Sequence, residues 1–128
     1  MAFRLITRRS TGLLDVTALS PVVASGRLTL SRDGETSWLM ASNLVLGEGV
    51  SGSPVGLLPS GTLPPGMRPP QSVWQEMLTS GGAVRRLAVS TTGWVPIYGS
   101  PRPGDIYHFT FGFPTSGQWP TTLPGVKL

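Results

Sequence analysis

Gly26-Arg-Leu-Thr-Leu-Ser-Arg-Asp-Gly34, followed by Glu35-Thr-Ser-Trp-Leu-Met-Ala-Ser-Asn-Leu-Val-Leu46, is the stretch on which the fold class turns. Leu28 and Leu30 fall on one face of the first run, and Arg27, Thr29 and Ser31 on the other. That is the period-two alternation of a half-buried strand. Asp33-Gly34 comes at once after it, a two-residue hairpin signal. The return strand, Glu35 to Leu46, is apolar on both faces around Trp38-Leu39-Met40-Ala41. It is expected to be a central strand covered on both sides, or one half-covered by a neighbouring subunit.

The same period recurs on either side of this hairpin. Leu13-Leu-Asp-Val-Thr-Ala-Leu19 is a short β-prone run, set off by the turn chemistry of Ser20-Pro21 and Ala24-Ser25-Gly26. Ala83 to Val89 and Trp94 to Tyr98 flank Ser90-Thr-Thr-Gly93, a second hairpin with glycine available for a positive φ. Leu87, Val89, Val95 and Ile97 form its core face, and Arg86, Ala88, Trp94 and Tyr98 fall on the other. Pro96 has no N–H to donate, which places its strand at an edge or a bulge. In the last strand, Asp105 to Phe113, Tyr107, Phe109, Phe111 and Phe113 share a face that is most simply core. Residues 47–70 are rich in glycine and proline, with Glu48 and Arg68 as their only charges. This stretch reads as a non-helical, ordered edge crossing between two sheets that must bury its leucines. The total is roughly seven or eight strands, which suits a β-sandwich or jelly roll. Residues 1–113 form that domain, and 114–128 an extended C-terminal tail packed on it or on a neighbouring subunit.

Composition agrees. The chain has 128 residues, one domain's worth, with 17 glycines and 13 prolines, nearly double the average usage of about 12%. That density excludes a helical bundle. Hydrophobic content of 39% argues against disorder. A net charge of +4 is spread thinly, with only Arg8-Arg9 and Arg85-Arg86 adjacent, so no nucleic-acid partner is expected. The N-terminus lacks the apolar run of a signal peptide. No apolar stretch approaches the ~20 residues of a membrane span, so no membrane insertion is expected.

Catalytic chemistry is poorly supplied. With no cysteine there is neither disulfide nor thiolate metal site. Gly47-Glu-Gly49-Val-Ser-Gly52 matches a dinucleotide pattern, but Pro54 follows and no helical period receives a pyrophosphate. His108 is the only histidine and alternates with apolar residues on a strand. Asp33 and Glu35 flank a turn glycine, as solvated carboxylates do. The chain is expected to be no enzyme, with no catalytic residue, metal or cofactor. Its distinctive chemistry is four tryptophans, Trp38, Trp74, Trp94 and Trp119. Two readings fit them: rings in a subunit interface or under the long loop, and rings that stack on sugars. For the second, Trp94 and Tyr98 beside Arg86 make the best ligand-binding set, since a guanidinium can hold anionic substituents.

Several segments, taken in order, resemble the C-terminal domain of minor tail proteins of phages that infect actinobacteria. They are Leu13–Leu19, Gly26–Arg32 with its hairpin, Gly61-Thr-Leu-Pro-Pro-Gly-Met-Arg-Pro69, the Val84-to-Ile97 hairpin, and Phe113-Pro-Thr-Ser-Gly-Gln-Trp-Pro-Thr-Thr-Leu-Pro-Gly125. The Leu-Pro-x-Gly-x-Arg-Pro element is common in tail and fibre tips, and the Trp-Pro-x-x-Leu-Pro-Gly ending is narrower. The resemblance implies a small β-sandwich, trimeric, at the distal end of a tail or tail fibre in the virion. Its partners would be its own copies in a homotrimer, other phage tail proteins and a host cell-envelope glycan. It carries no site residues. Met1 stands almost at the domain, so the expectation is either an excised fragment or an unusually short protein. The alternatives are a stand-alone bacterial carbohydrate-binding module and a capsid decoration protein.

Overall fold

Alternating apolar residues and closely spaced turns produce nine strands and almost no helix among residues 9–115 and 117–128, which the computed structural model describes. In chain order they are β1 (Leu14–Asp15), β2 (Val23–Asp33), β3 (Thr36–Leu46), β4 (Val55–Leu58), β5 (Val73–Leu78), β6 (Val84–Val89), β7 (Val95–Tyr98), β8 (Ile106–Pro114) and β9 (Val126–Lys127). They form two antiparallel sheets, one ordered β8-β3-β2-β1-β9 and the other β4-β7-β6-β5. The N-terminal stretch read for a signal peptide, and the Arg8 half of the Arg8-Arg9 pair, lie outside the described residues.

Inward-facing side chains of both sheets meet in one buried cluster. From the first sheet come Leu28, Leu30, Leu39 and the aromatic stripe Tyr107, Phe109, Phe111 and Phe113, all buried as the alternation requires. From the second come Leu87, Val89, Val95 and Ile97, each with no exposed surface. Fully burying a side chain of this kind contributes about 1.5–3 kcal/mol. A bridge between Thr79 and Tyr107, with Ser80 N–H donating to the Ile106 carbonyl, ties the two sheets along one side.

Several expectations need correction. The β2–β3 turn is Gly34-Glu35, because Asp33 pairs with Thr36; the return strand therefore starts one residue late. Gly34 takes φ +60°, the conformation a hairpin's first central position demands. Only Leu14–Asp15 of the 13–19 run is strand. Asp15 Oδ1 accepts from Thr17 N–H at 3.0 Å and from the Thr17 hydroxyl at 2.6 Å, turning the chain into a short 3-10 turn, Thr17–Leu19. The 47–70 crossing runs from β3 to the other sheet and buries Leu57, Leu58, Leu63 and Met67. It also contains β4 and a 3-10 turn at Pro65–Met67, so it is neither wholly strand-free nor wholly non-helical. Pro96 lies at a bulge opposite Gly56, although β7 is an inner strand. Val73–Leu78 adds β5, a strand absent from the alternating runs above.

One end of the molecule is clasped by a buried cation. The alternation that turns Leu28 and Leu30 inward also turns Arg32 inward, leaving it 2% exposed. Its Nε donates to the Gly34 carbonyl at 2.9 Å, and Nη1 to the Gly66 carbonyl at 2.6 Å and to that of Gln118. The guanidinium lies 4.7 Å from the Trp119 ring, with Arg9 at 4.3 Å. A charge this deep is tolerable only with its donors occupied. The Leu63–Pro69 element and the Gln118-Trp119-Pro120 turn therefore meet at one side chain. Gly66 is needed there, because a Cβ would lie 2.7 Å from the Gln118 oxygen and against Pro120 N.

Candidate functional site

The outer face of the β4-β7-β6-β5 sheet carries what the inner face cannot bury. Cross-strand pairing sets Trp74 beside Ala88, Glu76 beside Arg86, Leu78 beside Val84, and Arg86 beside Tyr98. Trp74 is 58% exposed, and Leu78, Val84 and Tyr98 are exposed with it. The Arg86 guanidinium stacks 4.1 Å from the Trp74 ring centre. An exposed cation–π pair of this kind contributes about 0.5–1 kcal/mol, enough to orient both groups and too little to explain leaving an indole in water. The Arg86 backbone is paired in the sheet, but its guanidinium has no hydrogen-bond or ion-pair partner among the described residues.

The predicted set Trp94, Tyr98 and Arg86 is only partly brought together. Tyr98 and Arg86 are cross-strand neighbours. Trp94 belongs to the same face but closes the Ser90–Gly93 turn, its N–H donating to Ser90 Oγ at 3.1 Å. Its half-buried indole lies over Gly56 of β4, with Nε1 3.1 Å from where a Cβ would stand. With strands about 4.8 Å apart, Trp94 marks the margin opposite β5. The ring beside Arg86 is Trp74. Its signal was present in Val73-Trp-Gln-Glu-Met-Leu78, where Trp74, Glu76 and Leu78 alternate with Val73, Gln75 and Met77. Gln75 in the inward register obscures the pattern.

Around the rim from this face, Arg85 points inward and is buried. Its Nε donates to Asp105 Oδ2 at 3.1 Å and its Nη1 to the Val84 carbonyl at 3.1 Å. The same Oδ2 accepts from Tyr107 OH at 2.9 Å and Arg102 N–H at 3.1 Å. Burial alone would raise the Asp105 carboxyl. The donors from Arg102, Tyr107 and Arg85, and the guanidinium charge, outweigh it and hold its pKa below the usual aspartate value. Burial, then the Asp105 hydrogen bond and charge, push the Tyr107 phenol well up.

The remaining candidates form no catalytic group among the described residues. His108 is exposed on β8, its Nδ1 accepting from Asn43 N–H at 3.2 Å, and it reaches the edge of the Trp74–Arg86 face, lining a depression of about 430 Å³ together with Glu76, Leu78 and Val84. Asp33 and Glu35 flank the Gly34 turn, and Gly47–Gly52 lies in a loop with no helix behind it. Among the described residues no three His, Asp or Glu side chains converge as a metal site would need, and no helix is long and apolar enough to cross a membrane. Comparison of the chain with known protein families, with curated proteins and with solved structures finds no match.

Proposed function

We propose that this chain is a glycan-binding β-sandwich domain of a phage tail tip or fibre, acting in the virion by contact with the host envelope. The observation that carries the binding reading is the Trp74–Arg86 stack, with Tyr98 across β6–β7 and no internal partner for the guanidinium. An indole offers an apolar plane to a sugar's C–H face, and the guanidinium offers donors to hydroxyls or anionic substituents. The tail setting rests on the resemblance of residues 13–32, 61–69, 84–97 and 113–125. Two of those elements, 61–69 and 113–125, are held against each other by Arg32, through the Gly66 and Gln118 carbonyls.

Homotrimeric assembly belongs to the same proposal. On the outer face of the five-stranded sheet, Trp38 is 37% exposed and Met40 is part-exposed. The Trp38 ring covers Gly112, leaving no room for a Cβ there. An exposed indole and methionine on one sheet face are suited to a neighbouring copy. Light scattering at micromolar concentration should return three times the chain mass; a strictly monomeric mass would remove the trimer.

The binding reading is tested with isolated wall polysaccharide of an actinobacterial host. Trp74→Ala and Arg86→Ala should each weaken binding about tenfold, the cost of one stacked anchor. Unchanged binding by both variants would move the site off this face. Loss of binding without reducing-sugar release by the unaltered chain would separate recognition from hydrolysis.

A further inference from the structure

Beside the aromatic face lies a second, polar depression of about 410 Å³ lined by Thr79, Arg85, Gly99, Ser100, Arg102 and Asp105. It adjoins a depression of about 250 Å³ that includes Glu76, Arg86 and Tyr98, and the two share Arg85 and Gly99. Gly99, at φ +99°, lies against β6, where a Cβ would stand 3.1 Å from the Val84 carbonyl oxygen. Ser100 takes φ +61°, a costly conformation for a residue with a Cβ. Its N–H and that of Gly99 both donate to Ser53 Oγ, at 3.3 and 3.2 Å, which holds this wall in place.

The pair at the base is half-occupied. Asp105 Oδ2 accepts three hydrogen bonds, whereas Oδ1 accepts none among the described residues. Arg85 uses Nε and Nη1, which leaves Nη2. A carboxylate oxygen and a guanidinium N–H left over on one ion-paired couple ask for a group that both donates and accepts. An anion would meet Asp105, and an ammonium would meet Arg85 and Arg102. Two adjacent hydroxyls satisfy both demands with no net charge.

We propose that Arg85 and Asp105 form a subsite for a vicinal diol, reading one sugar of an oligosaccharide whose neighbouring unit stacks on Trp74, Arg86 and Tyr98. This rests on the glycan reading of the outer face and extends it from a single anchor to a chain of linked sugars. Arg102, exposed and making no side-chain bond with another described residue, closes the outer side of the depression.

The test is an NMR titration of the full 15N-labelled chain with linear gluco-, manno-, galacto- and arabino-oligosaccharides of one to about six units. An oligomer that shifts the Trp74 indole should, from about three units upward, also shift the amides of Gly99, Ser100 and Asp105. Arg102→Ala should weaken that longer oligomer about threefold and Asp105→Asn about tenfold, each leaving the Trp74 shift in place. Because Asp105→Asn loosens the Arg85 contact, Arg102→Ala keeps the test valid if the first variant unfolds. Saturation at Trp74 by the longest oligomers, with the three amides unmoved and Arg102→Ala neutral, overturns the subsite and leaves the aromatic face standing. No shift at either place with any oligomer overturns both.

Discussion

Arg32 on Trp119 and Arg86 on Trp74 are the same pair of side chains at similar separations, 4.7 and 4.1 Å, in opposite surroundings. Arg32 is 2% exposed, with its donors on the carbonyls of Gly34, Gly66 and Gln118. The Arg86 guanidinium has no hydrogen bond within the described chain, and its tryptophan is 58% exposed. The first pair is a bolt joining three distant segments. The second has donors and an apolar plane facing outward. An arginine–tryptophan stack therefore says little by itself; what distinguishes the two is whether the guanidinium's other donors already have acceptors.

The largest effect should come from breaking the bolt. Arg32→Ala leaves several buried carbonyls without a donor, at about 1–3 kcal/mol for each that water cannot reach. A loss of about 3 kcal/mol or more should appear in thermal melts as a fall of roughly 10 °C. A melt within about 2 °C of the unaltered chain would deny the clasp. Gly66→Ala attacks the same junction sterically and should destabilise by about 1–3 kcal/mol, the usual penalty of overpacking.

The outward pair should respond in the other way. Trp74→Ala should leave the melt within about 2 °C, because most of the ring is in water, while polysaccharide binding falls about tenfold. If its melt fell as far as that of Arg32→Ala, the two pairs would be equivalent and the outer face structural.

Acid should act on the rim beside the outer face, at Asp105. The Asp105 pKa is depressed in the folded chain below the ordinary aspartate value of 3.8. Its stabilising contribution is therefore complete above that value and is lost as pH falls through the folded pKa. Urea melts from pH 6 down to pH 2 should show Asp105→Asn with a flatter pH profile than the unaltered chain. A parallel profile would mean the carboxylate contributes nothing. The smallest effect is at Ser37, fully buried on β3 with its hydroxyl lacking a partner among the described residues. Ser37→Ala should raise stability by about 0.5–1 kcal/mol, read from urea midpoints; a loss would reveal a hydrogen bond to that hydroxyl.

Wherever a strand has one wet and one dry face, the residue order was enough. The Tyr107–Phe113 stripe and the Leu87–Ile97 hairpin face were legible because period-two alternation is local and burial acts on each residue separately. Leu28 and Leu30 also point inward, but the half-buried reading of their strand fails, since Thr29 and Ser31 are buried too. The outward position of Arg86 and Tyr98 followed from the same rule. The partners of those residues did not, since strand order and register depend on how the sheets close. β5 pairs with β6 and brings Trp74 under Arg86, while a turn and the glycine of β4 draw Trp94 aside. Arg32 illustrates the limit most clearly. Alternation points it inward, an unfavourable place for a cation, and nothing in Arg27–Arg32 announces the carbonyls that make it tolerable. Those carbonyls come from residues 34 and 66 and from the C-terminal tail, joined only when the chain is folded. The sequence by itself determined the all-β class and the facing of its best strands, whereas the tertiary structure alone decided which arginine is a bolt and which stays free, because that depends on acceptors supplied from elsewhere in the chain.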